Sequence, residues 1–77
     1  GAGLPLRLTM RTDQCTMDNL ARLKGVLAAN QGDSDVYLNL VCGEETKMMI
    51  LGENLRVKRS ASLMGDLKAT MGPAILG

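Results

Sequence analysis

The chain has 77 residues, 45% of them hydrophobic, and nine basic against eight acidic side chains leave a formal charge of +1. That length supports one hydrophobic core and excludes two, and the near-neutral balance excludes the long-range field that draws strongly basic proteins to nucleic acid or anionic lipid. With no Phe, no Trp and one Tyr, the core is aliphatic, and the six Met are expected to supply soft, adaptable volume within it.

Gly1 to Gly3 read as a linker or an expression remnant, and residues 4–76 as a single small α+β domain. From Leu4 to Arg11 the apolar residues Leu4, Leu6, Leu8 and Met10 alternate with Arg7, Thr9 and Arg11, which is the period of a half-buried strand. Pro5 lacks an amide donor, so pairing is expected to begin at Leu6. Thr16 suits a helix N-cap, and Asp18 adds negative charge at the favourable helix end. Met17, Leu20, Leu23, Val26 and Leu27 then recur at three- and four-residue spacing, predicting a helix from Met17 to Ala29. Gly32 is expected to close it in a left-handed conformation, with Asp33, Ser34 and Asp35 completing a polar loop.

Val36 to Cys42 alternates again, with Val36, Leu38, Leu40 and Cys42 on one face and Tyr37, Asn39 and Val41 on the other. A turn of Gly43, Glu44 and Glu45 leads into a strand from Thr46 to Leu51, which predicts a hairpin. Because Met48, Met49, Ile50 and Leu51 are consecutive, the phase is chosen by charge: Lys47 outside puts Met48 and Ile50 inward and leaves Met49 as the exposed methionine. Leu55 to Lys58 reads as a short strand. Ser60 or Ser62 caps a last helix carrying Leu63, Met64, Leu67 and Met71, stopped by Gly72 and Pro73. The tail Ala74, Ile75 and Leu76 either adds an edge strand or hangs free. The order β-α-β-β-β-α implies a two-layer sandwich, two helices on one face of a small, mostly antiparallel sheet. If the first two long strands are parallel, the first helix is their crossover.

The chemistry inventory is short. There is no His, so a Ser-His-acid system is excluded and a cysteine nucleophile lacks its usual base. Cys15 and Cys42 are too few and too far apart for a zinc site, and Cys42, in the apolar phase of its strand, is expected to be a buried free thiol. Asp33 and Asp35 lack the longer alternating series of a calcium loop and read as turn residues. No glycine-rich phosphate loop is present, so no cofactor, metal or small-molecule substrate is expected. No apolar run approaches the ~20 residues of a membrane span, and a cytoplasmic setting is the default expectation. What remains is contact. Tyr37, Val41, Met49, Ile75 and Leu76 are the candidate protein contacts, apolar groups without an assured place in the core. Arg7, Arg11, Lys47, Arg56, Lys58 and Arg59 are the candidate nucleic-acid contacts, with Tyr37 the only side chain able to stack on a base.

As an ordered string the segments resemble the extreme C-terminal domain of the bacterial replicative DNA polymerase III alpha subunit, the region after its OB domain. The similarity runs through Leu4-Pro5-Leu6-Arg7-Leu8, Leu20-Ala21-Arg22-Leu23-Lys24, Val26-Leu27 and Gly32-Asp33-Ser34-Asp35-Val36-Tyr37-Leu38. It continues through Leu51-Gly52, Leu55-Arg56-Val57-Lys58, Ser60-Ala61-Ser62-Leu63, Leu67-Lys68 and Met71-Gly72-Pro73-Ala74. Where that family commonly carries a His-Pro-Gly-Asp-Ser-Pro-Val-Tyr-like stretch, this chain has Asn30-Gln31-Gly32-Asp33-Ser34-Asp35-Val36-Tyr37, without either proline. The resemblance implies a non-catalytic module of a DNA-directed DNA polymerase acting in DNA replication, attached to the tau subunit of the clamp loader. Weak contact with single-stranded DNA, or a structural accessory role without a ligand, are the alternatives.

Overall fold

The computed structural model describes residues 4–77, so the reading of residues 1–3 as a linker lies outside the described residues. Strand β1, Leu6–Arg11, starts one residue after Pro5, and its alternation puts Leu6, Leu8 and Met10 into the core. Helix α1, Met17–Ala29, follows, its Thr16 hydroxyl accepting the Asn19 amide at 3.1 Å. Leu23 and Leu27 are its buried residues, whereas Met17, expected in the same stripe, is 88% exposed on the first turn.

Gly32 does not close α1. Asn30 does, its backbone amide bonding to the Leu27 carbonyl and its side-chain amide donating to the Val26 carbonyl at 2.8 Å. Gly32 instead sits in a short strand β2, Gln31–Ser34, where the expected polar loop forms isolated bridges from Gln31 and Ser34 to Val57. A Cβ on Gly32 would lie 2.4 Å from the Lys58 amide nitrogen, so the glycine is required by close backbone approach and not by a left-handed turn. The expected strand at Leu55 to Lys58 reduces to Val57, preceded by a 3-10 turn over Glu53–Leu55.

Strand β3, Val36–Cys42, pairs in parallel with β1, with α1 in the connection between them, and antiparallel with β4, Glu45–Ile50, giving a three-stranded sheet in the order β1-β3-β4. Helix α2, Ala61–Met71, is capped by the Ser60 hydroxyl, which accepts the Leu63 amide at 3.1 Å. It ends at Gly72, whose φ of 86° and bond to the Lys68 carbonyl suit a residue without a side chain. The tail adds no edge strand: Pro73–Leu76 form a 3-10 turn that buries Ile75.

The core therefore joins β1 and β3 to Leu23 and Leu27 of α1, Leu63 and Leu67 of α2, Val57 and Ile75. Each fully buried aliphatic side chain contributes roughly 1.5–3 kcal/mol over its exposed state. The methionines contribute less than expected. Met10 alone is fully buried, Met64 and Met71 pack at the margin, and Met17, Met48 and Met49 are exposed. The result is an α+β fold with both helices on one face of the sheet.

Candidate docking surface

The face that the helices leave uncovered is defined by strand register. Leu6, Leu8 and Met10 stand opposite Val36, Leu38 and Leu40 and point to the core, so the alternate residues point away from it. Arg7, Tyr37 and Ile50 form one row across the three strands, Thr9, Asn39 and Met48 the next, and Arg11, Val41 and Thr46 the last. Tyr37, Val41, Met48 and Ile50 thus make an apolar field flanked by two arginines on β1.

The expected phase of β4 is reversed. Cys42 pairs with Glu45, so the hairpin turn is Gly43 and Glu44 alone, with Gly43 at φ 61° in the first central position that glycine fills in a tight two-residue turn. A three-residue turn would have set Met48 opposite Leu40 and Ile50 opposite Leu38. Shortening the loop by one residue turns every side chain over. Met49 and Lys47 consequently share the helix-side face with Leu38 and Leu40, while Met48 and Ile50 join the open face.

No helix reaches over β4, and all six of its residues are exposed: Met48 at 55%, Met49 at 45% and Ile50 at 62%. Cys42, beside it, is exposed and not the buried thiol expected; it and Cys15 are both free thiols.

The other candidates scatter. Ile75 is in the core and Leu76 packs against it, which removes Ile75 as a contact. Arg11 pairs with Asp13 at 3.2 Å on the surface. Arg56 donates to Asp35 at 2.7 Å, and this hydrogen bond, then the carboxylate's charge, holds its guanidinium above the ordinary value. Lys58 has its backbone amide engaged by the Asn30 carbonyl and its side chain in solvent. Arg59 and Arg7 line a shallow hollow of about 280 Å³ with Pro5, Met64 and Leu76. The six cations therefore form no continuous track, because Arg56 is committed to an ion pair and Lys47 lies on the face away from Arg7 and Arg11.

A hollow at the end of β1, lined by Thr9, Gln14, Asn19 and Thr70 among others, holds about 80 Å³, and a shallow one between β2 and Val57, Lys58 and Arg59 holds about 360 Å³; the first lies well below, and the second at the lower end of, the roughly 300–1,000 Å³ of typical ligand sites. Among the described residues no three His, Cys, Asp or Glu side chains gather as metal ligands, and no helix is long and apolar enough to cross a membrane. Of the residues on this face, Tyr37 and Val41 were expected as protein contacts and Arg7 and Arg11 as nucleic-acid contacts, whereas Met48 and Ile50 were expected to point inward; counting Gly43-Glu44 as a complete hairpin turn would have placed both here.

Comparison with known proteins gives one consistent relationship. The chain is 47% identical over 73 residues, 95% of its length, to the DNA polymerase III subunit alpha of Mycobacterium leprae (strain TN). It is 45% identical over the same extent to the DNA polymerase III subunit alpha of Mycobacterium tuberculosis (strain ATCC 25618 / H37Rv). It spans only 6% of the length of these relatives. No family model matches, and neither does any solved structure. Identity at this level across nearly every residue makes the chain a homologue of a C-terminal segment of the DNA polymerase III alpha subunit.

Proposed function

We propose that this chain is a non-catalytic C-terminal module of a bacterial replicative DNA polymerase alpha subunit and docks the polymerase to the tau subunit of the clamp loader. The observation that carries the reading is the uncovered sheet face, where Tyr37, Val41, Met48 and Ile50 lie together without a helix over them. An apolar field edged by arginine has the composition of a protein-interface core with a polar rim. Polymerisation itself would belong to other parts of the parent chain. The test is calorimetric titration of the chain with tau, alone and joined to the alpha-subunit segment that precedes it. Saturable heat in both series is expected, and none in either would refute docking through this module.

A second reading has one specific observation in its favour: Arg7 stands directly opposite Tyr37 on the open face, the pairing that stacks a base and neutralises its phosphate. It predicts affinity for single-stranded oligothymidylate that falls steeply with salt. The dispersal of the other cations makes this the weaker reading.

A further inference from the structure

The free edge of β4 carries a more specific message than the open face beside it. Leu51 donates its amide to the Val36 carbonyl at 2.9 Å, which fixes the phase of the antiparallel ladder. Hydrogen-bonded and non-bonded pairs alternate, so Met49, Lys47 and Glu45 turn their backbones toward β3. Thr46, Met48 and Ile50 turn theirs outward, to no strand among the described residues.

Natural edge strands are blunted by proline, bulges or charges, lysine above all. Here Glu45 and Lys47 charge the first half of β4, but the register runs unbroken from Tyr37↔Ile50 to Cys42↔Glu45, no proline interrupts the strand, and its second half is three consecutive apolar residues.

We propose that the free edge of β4 accepts an extended strand from a partner protein, which pairs with the backbones of Thr46, Met48 and Ile50. The inference rests on the reading of the chain as a docking module and adds the mode of docking. Its occupant is set by what must be covered. Met48 and Ile50 project to one face of the sheet and Met49 to the other. A helix or loop laid on either face covers one set, whereas a strand in the plane of the sheet flanks both and satisfies the backbone.

Charge sets the pattern of that strand. Lys47 has no ion-pair partner among the described residues and lies between Glu45 and Met49 on the helix-side face. The matching strand therefore presents a carboxylate to Lys47, a cation to Glu45 and apolar side chains to Met48, Met49 and Ile50. A second copy of β4 does not meet this pattern. Two-fold registers centred on Met48 or Met49 set Lys47 against Met49 or Leu51, one centred on Lys47 opposes the two lysines, and one centred on Thr46 pairs Lys47 with Glu45 but runs Ile50 past the partner strand.

The probe is the blocked peptide Ac-Val-Leu-Val-Glu-Thr-Lys-NH2, written to lie antiparallel to β4 with its Glu opposite Lys47. Its control is the same peptide N-methylated at the second Val and at Thr, which keeps the side chains and removes two edge donors. Titrated into the isotope-labelled chain, the probe is expected to shift and slow exchange of the Thr46, Met48 and Ile50 amides, with the control at least tenfold weaker. Met48→Pro, which removes one outward amide without touching the β3–β4 bonds, is expected to abolish binding while the helical circular dichroism stays unchanged. Equal binding of the two peptides, protection elsewhere than β4, no binding at millimolar probe, or self-association of the chain through β4 overturns the proposal. Because tau takes no part, the outcome is separate from the titration with tau: the edge can accept a strand even if tau is the wrong partner, and tau can bind by a surface other than this edge.

Discussion

A methyl group added at Gly32 would stand 2.4 Å from the Lys58 amide nitrogen and 2.6 Å from the Val57 carbonyl carbon. Those are backbone atoms held by the bonds from Gly32 to the Arg56 carbonyl and from Lys58 to the Asn30 carbonyl, so they cannot yield as a side chain would. Gly32→Ala is expected to destabilise the chain by about 1–3 kcal/mol, the usual cost of overpacking. Gly25 lies inside α1, and a methyl group there would meet nothing within 4 Å, so Gly25→Ala is expected to stabilise by about 0.5–1 kcal/mol through helix propensity. Urea midpoints of the two variants, moving in opposite directions, check both. The distinction was not legible in the sequence. Gly32 follows a helical stripe and precedes polar residues, as a helix-closing glycine does, and only its juxtaposition with Lys58, far along the chain, reveals the tight approach.

At the scale of elements, local signals fixed the helices well. Thr16 and Ser60 each accept the amide three residues on, and Thr16→Ala or Ser60→Ala is expected to lower stability by about 1 kcal/mol, read from thermal unfolding. The extent of α1 and the start of β1 at Leu6 were legible because cap, proline and apolar period agree there. The phase of β4 was not, because Met48, Met49, Ile50 and Leu51 carry no alternation, and the side chain nearest to a discriminator, Lys47, misled: it lies on the helix-side face, where the strand overhangs the helices and stays solvated. The single bridging residue Val57 was legible only as part of a longer strand, since pairing with β2 depends on the distant Gly32. Truncation at the centre of the sandwich tests its cohesion. Leu8→Ala or Leu27→Ala removes a fully buried side chain and is expected to cost about 2–5 kcal/mol, a large share of the stability that so small a domain holds.

The whole molecule divides into a closed half and an open one. Helices, tail and the inner faces of β1 and β3 bury one another, while the outer face and β4 stay uncovered and set Met48, Met49 and Ile50 in solvent beside polar neighbours. A stable monomer gains nothing from exposing Met48, Met49 and Ile50 together, which is why a covering partner is the simplest account of this surface. The cations do not compete with that account, since Arg56 is held by Asp35 and Lys47 faces away from Arg7 and Arg11. The most direct test of the proposed docking is therefore the affinity for tau of a full-length alpha subunit carrying the paired substitution Met48→Asp and Ile50→Asp, both at exposed positions. The account predicts at least a tenfold loss of tau affinity with primer extension by the isolated subunit unchanged; full tau affinity in that variant would contradict it.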